Sequence, residues 1–160
     1  MRADRQNRTV PDARHVAERI LAARDHGVEE LRRKLKARGC EASEVEAVLQ
    51  DLLREGLLDD ERYTRTLTRQ VFEKGRGVGY ARGQLASRGI RLKAPPATPE
   101  EEAESLRTYL RRRSISPNSV TDRAERTKLL RFLAGRGYTS AALALVFGWT
   151  ITEADPEIGE

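Results

Sequence analysis

Between Arg62 and Lys93 nine positive side chains face a single carboxylate, Glu73. Internal ion pairs cannot absorb such a run; it repels itself, and a polyanionic partner relieves the repulsion. Arg65 and Arg69 stand four residues apart, which places them on one face of a helix. Lys74 and Arg76 bracket a glycine and Arg82 follows. A second set, Arg32, Arg33 and Lys36, falls on the polar side of an earlier predicted helix. These eight residues are the candidate contacts to a nucleic acid or to a filament built on one. Arg outnumbers Lys 25 to 5. The guanidinium fork suits phosphate, although a GC-rich genome produces the same bias.

Other groups invite chemistry and do not carry it. Asp59-Asp60-Glu61 are consecutive, so on a helix they point about 100° apart and do not converge on a metal or a proton; acidic residues at a helix start serve as caps and answer the dipole. The run Gly75-Arg76-Gly77-Val78-Gly79 lacks the Gly-Lys-Ser/Thr and the preceding strand of a phosphate-binding loop and reads as a helix breaker. His15 and His26 have only one cysteine, Cys40, for company, which is no zinc set. No nucleophile stands with a base. The chain is expected to have no catalytic residue, no metal and no cofactor of its own.

The elements that position the basic residues announce themselves by repetition. Arg-Gly-apolar occurs at Arg38-Gly39-Cys40, Arg88-Gly89-Ile90 and Arg136-Gly137-Tyr138, at steps of 50 and 48 residues. Each follows a leucine at one spacing (Leu35, Leu85, Leu133), with Leu31, Ala81 and Leu129 four residues earlier. Gly27-Val28 and Gly77-Val78 repeat in the same register. A helix that ends on Arg, facing the negative end of the dipole, and on a left-handed Gly has been used three times. The period exceeds the roughly 34 residues of a helix-pair solenoid and fits three short helices per unit. Such an array offers a long surface to a long partner.

Residues 1–11 read as a disordered basic arm and 12–56 as a first unit. There Asp12 caps a helix, Val28, Leu31 and Leu35 mark a second, and Ser43-x-x-Glu46 reads as a capping box opening a third that Gly56 ends. The second unit, 57–97, has a helix from Asp59 and another over Val78–Leu85. Where its third helix belongs stand Pro95, Pro96 and Pro99, which forbid a helix before about Thr98. The third unit, 98–148, starts with Thr98 capping Pro99; residues 149–160 read as an acidic tail. Net charge alternates by block along the chain and totals +5. The hydrophobic share, 38%, is low for one compact domain. These features predict an all-α, elongated tandem array of three three-helix units, with the third helix of the middle unit disrupted by prolines. No apolar run is long enough for a membrane span and no signal peptide is visible, so a cytoplasmic chain is expected. One cysteine is compatible with a reducing compartment.

Gly56-Leu57-Leu58-Asp59-Asp60-Glu61-Arg62-Tyr63 resembles the signature of the RecX family, bacterial regulators of the RecA recombinase. Lys74-Gly75-Arg76-Gly77 and Leu85-x-x-Arg88-Gly89-Ile90 follow at the family's distance. Glu30-Leu31-Arg32-Arg33-Lys34-Leu35 and Phe132-Leu133-x-x-Arg136-Gly137-Tyr138 take their places as well. The resemblance spans residues 13–148. It makes Gly39, Gly56, Leu58, Asp59, Asp60, Gly89 and Gly137 a structural signature. It implies a non-enzymatic monomer that binds the RecA filament on single-stranded DNA, along its groove, and inhibits ATP hydrolysis and strand exchange. Two departures stand out: Cys40 replaces the usual aromatic, and the prolines occupy the last helix of the middle unit. The alternative is a helical DNA-binding module or transcription-type regulator that acts without RecA, against which stand three similar units and no dimerisation heptads.

Overall fold

A computed structural model describes residues 12–148; the predicted arm over 1–11 and tail over 149–160 lie outside them. Among the described residues there are eight α-helices and no strand: α1 (Ala13–Ala23), α2 (Val28–Ala37), α3 (Ala42–Arg54), α4 (Asp60–Glu73), α5 (Val78–Ser87), α6 (Pro99–Arg112), α7 (Arg123–Gly135) and α8 (Ser140–Phe147). No helix among them is long and apolar enough to cross a membrane.

The chain divides into two compact units. One runs to Tyr63 and takes in Arg88–Ile90; the other holds Thr64–Ser87 and the chain from Arg91 onward. In the first, α1, α2 and α3 close on Ala17, Ile20, Leu31, Leu35, Val45, Leu49 and Leu52, with Cys40 and Leu58 completing the core. In the second, α6, α7 and α8 close on Leu106, Leu110, Leu130, Leu133, Leu143 and Phe147, with Tyr138 in the position that Cys40 holds in the first. Both cores follow from apolar residues three and four apart on short amphipathic helices.

The ends of the helices are set locally. Asp12 accepts from the amides of Arg14 and His15, and Thr139 from that of Ala142. Thr98 and Glu101 form a reciprocal capping box, with Pro99 at the first helical position. Residues 91–98 form no helix. Gly39, Gly89 and Gly137 stand at φ of 82°, 88° and 89°, in the left-handed region. Behind the first and third of these stops the amides of Cys40 and Tyr138 reach back to the carbonyls of Leu35 and Leu133, closing the helix as a Schellman motif does.

One cap differs from expectation. Helix α3 begins at Ala42 behind Glu41, with no side-chain cap, so Ser43 lies inside the first turn and the box with Glu46 does not form. The Glu46 carboxylate is engaged instead by Arg32, at 2.8 and 3.0 Å. Neighbouring Glu44 turns to α1, where it accepts from the amide of Ala13 at 3.0 Å.

Candidate nucleic-acid interface

The predicted basic residues divide sharply by what neutralises them. On α2, Arg32 pairs with Glu29 and with both oxygens of Glu46, and Lys36 lies 3.8 Å from Glu46. The Glu46 hydrogen bond, then Glu29, raises the Arg32 guanidinium above its ordinary range, and Arg32 holds the Glu46 carboxyl below its own. Arg33 is exposed on the same helix. In the first unit, then, Arg32 and Lys36 spend their charge on neighbouring carboxylates.

The second unit is otherwise. Arg65 and Arg69 are exposed on one side of α4, where they line a groove of about 580 Å³ with Phe72, Thr108, Tyr109 and Arg112. Glu104, on the same groove, is taken by Arg107 and Arg111 at 3.4 and 3.3 Å. Lys74 and Arg82 are exposed, and the Arg76 guanidinium lies 4.9 Å from the centre of the Tyr80 ring. Among the described residues no carboxylate stands within ion-pair distance of Arg69, Lys74, Arg76 or Arg82. Arg65 and Arg69 share the groove, whereas Lys74 and Arg76 follow on the loop after α4 and Arg82 on α5.

Other cations of the same block serve the fold. Arg62 donates to the carbonyls of Gly56 and Leu57, closing the end of α3. Arg88 lies 4.0 Å from Glu30. Outside the block, Arg136 donates to the carbonyls of Gly75 and Lys74 at 2.7 and 3.1 Å while lying over the Tyr109 ring.

The glycine run does more than break a helix. The amides of Gly77 and Gly79 donate to the carbonyls of Arg136 and Gly137 at 3.0 and 2.8 Å. A Cβ on Gly77 would stand 2.3 Å from the Gly137 oxygen, and one on Gly75 would meet the Tyr109 ring at 2.2 Å. The run is a seat for the third Arg-Gly stop, and it holds Lys74 and Arg76 on either side of a fixed backbone.

Of the structural signature, Asp59 caps α4 through the amides of Glu61 and Arg62, whereas Asp60 accepts from the amide of Val28 and so caps α2. Leu58 is fully buried in the first core and Gly56 stands at φ 69°. Among the described residues no group of three or more His, Cys, Asp and Glu is placed to hold a metal ion.

Two residues on this surface escaped the reading of the sequence. Tyr80 is 40% exposed beneath Arg76, a combination that their four-residue spacing makes legible. Arg112 comes to the groove beside Arg65 and Arg69 from more than forty positions along the chain, and nothing local signals it.

Comparison with known proteins gives three results. The family model for the first three-helix domain of RecX matches residues 13–52. The chain is 35% identical to regulatory protein RecX of Acidithiobacillus ferrooxidans over 139 residues, covering 86% of this chain and 89% of the relative. It is 34% identical to that of Pseudomonas fluorescens SBW25, covering 82% and 86%. In fold it is similar to a crystal structure of regulatory protein RecX, with a TM-score of 0.64 at 23% identity over 86% of this chain and 72% of that one. It is similar also to RecX from Lactobacillus salivarius, with a TM-score of 0.68 at 15% identity over 85% and 92%.

Proposed function

The chain belongs to the RecX family, and from that premise we propose that it regulates the RecA recombinase by binding the RecA filament on single-stranded DNA, in the course of recombination and repair. The repeats form a tandem array that follows the filament groove. Its basic residues on α4, on the loop after it and on α5 contact DNA phosphate or acidic filament surface, hold subunits in place, and suppress ATP hydrolysis and strand exchange. The chain acts as a monomer and as a binding protein without a cofactor; the nucleotide belongs to RecA.

The observation that carries this reading is the contrast between cations spent on carboxylates, Arg32 and Lys36, and cations with none in range, Arg69, Lys74, Arg76 and Arg82. A fold that sets Arg32 and Lys36 against carboxylates and leaves Arg69, Lys74, Arg76 and Arg82 with none in range retains the second set for an external anion.

The test is the ATPase of RecA on single-stranded DNA at sub-stoichiometric ratios of this protein. Wild type is expected to inhibit. Reversal of Arg69, Lys74, Arg76 and Arg82 to Glu should raise the half-inhibiting concentration at least tenfold. It should also flatten the salt dependence of binding by roughly 0.7 in log–log slope for every phosphate that is no longer neutralised. Inhibition by that variant at wild-type concentration, with helix content intact, would remove the site assignment. DNA binding without any effect on RecA would instead favour a module that acts on DNA alone.

A further inference from the structure

The first unit holds a second concentration of positive charge that none of the residues above explains. A bowl of about 460 Å³ opens between α1 and α2 over an aliphatic floor that includes Val16 and Ile20. Arg19, Arg24, Lys34 and Arg38 line it, with His26 at depth. Their sequence positions are scattered over both helices and their ends; the fold gathers them.

One carboxylate answers four cations. Glu30 pairs with Arg24 and lies 3.4 Å from Lys34. Lys34 also donates to Nε2 of His26 at 2.6 Å, which requires that nitrogen to be unprotonated and the ring neutral. Among the described residues Arg19 and Arg38 have no carboxylate in range; Arg38 donates to the Lys34 carbonyl at 3.2 Å. Both are exposed. The core beneath is complete without either, because Ala17, Ile20, Leu31 and Leu35 fill it.

We propose that this bowl is a phosphate subsite that takes the backbone of a single-stranded nucleic acid. Elsewhere in this unit the forks that meet carboxylates are well supplied: Arg14 donates to Glu18 and to both oxygens of Glu55, at 2.9 and 2.7 Å, and Arg32 to Glu29 and to both oxygens of Glu46. Here the forks exceed the carboxylates, so the bowl calls for a ligand with more than one negative charge. A strand supplies one at every nucleotide, and guanidinium forks match its non-bridging oxygens. The inference goes beyond the reading above: it concerns different residues and needs no RecA.

The experiment is fluorescence anisotropy of a labelled 20-nucleotide oligothymidylate across a salt series, without RecA. The double variant Arg19→Glu/Arg38→Glu should bind at least tenfold more weakly, with the salt slope reduced by about 1.4 for two phosphates left without a cation. The charge-matched control Arg54→Glu/Lys128→Glu should stay within about twofold of wild type. Circular dichroism checks the fold, and Arg19→Gln/Arg38→Gln gives a milder pair with the same expected direction. Affinity of the bowl variants within twofold of the control, or no binding by wild type, overturns the proposal. The same variants are assayed on the RecA ATPase. Loss of inhibition with unchanged oligonucleotide binding would assign the bowl to an acidic protein surface and overturn the phosphate assignment, while leaving the RecA reading in place.

Discussion

Gly27-Val28 opens α2 against the side chains of Ile90 and Asp60, whereas Gly77-Val78 opens α5 against the backbone of Arg136-Gly137 and the buried carboxylate of Glu102. The two seams use the same four residue types at the same places in the repeat. In each, a Gly-Val helix start receives the Arg-Gly stop of the following repeat and donates its valine amide to a carboxylate, at 2.9 Å in the first and 2.7 Å in the second. The first seam is closed by side chains, which rotate. The second is closed by main chain, which does not, and its carboxylate is 1% exposed. A repeat therefore keeps its spacing while its two joints differ in what they tolerate.

The sharpest way to break the comparison is to add one methyl group to each seam. At Gly77 a Cβ would stand 2.3 Å from one backbone atom and 2.4 Å from two more. Gly77→Ala should cost about 3 kcal/mol, because neither segment can withdraw without losing the paired amides. At Gly27 the nearest atom is the terminal methyl of Ile90, at 2.9 Å, so Gly27→Ala should cost about 1 kcal/mol or less. Urea unfolding of the two variants measures both. Equal losses would mean that the seams are closed alike.

The second contrast replaces the carboxylates. Glu102 accepts from the amides of Val78 and Thr139 and from the Thr139 hydroxyl, tying the starts of α5 and α8 together. A glutamine oxygen can keep the two amides, but its NH₂ then faces the Thr139 hydroxyl, which must accept instead of donate. The charge that strengthens all three bonds is lost as well, and Glu102→Gln should cost roughly 2 kcal/mol. Asp60 is half-buried and accepts from the Val28 amide alone. An asparagine oxygen can take its place, and Asp60→Asn should cost about 0.5–1 kcal/mol. Matching losses in thermal unfolding would show the burial of Glu102 to be of no consequence.

These carboxylates mark the limit of what the sequence discloses. Asp12 and Thr98 as caps, the Arg-Gly stops and the helix-free stretch before Pro99 were legible because each depends on residues within a turn or two. The Ser43-Glu46 box was misread because Arg32, fourteen residues earlier, takes the glutamate once α2 and α3 pack. Glu102 reads as one of three acids that begin α6, and only its place four residues before Leu106, on the apolar stripe, hints at burial. For the candidate surface, the excess of cations over residues 62–93 was plain. Which of them the backbone absorbs, as it does Arg62, depends on carbonyls exposed at helix ends and was not.

The smallest expected difference between the seams is in pH, and it arises from what lies beside the first. Glu30 there meets Arg24, His26, Lys34 and Arg88; no histidine stands in the second. His26 is 3% exposed, with Nδ1 2.9 Å from the Arg24 carbonyl and Nε2 facing the Lys34 ammonium. Burial is the main cause that pushes its pKa below the ordinary 6.5; Arg24 and Lys34 add to it, against the Arg24 carbonyl and Glu30. With the folded value depressed, the unfolded chain binds more protons in the window between the two. Stability from the neutral ring is therefore present above about 6.5 and is lost as pH falls through the folded value. The Glu30 carboxyl, also held low, has the same sign in a window below the ordinary carboxylate value, against a desolvation that raises it. Melting temperatures at pH 7, 6 and 5 should fall for wild type, and His26→Gln should fall less over that range while keeping the acid limb below it. Parallel curves for the two proteins would show that His26 is protonated as readily in the folded chain as in the unfolded one, and the two seams would then differ in geometry alone.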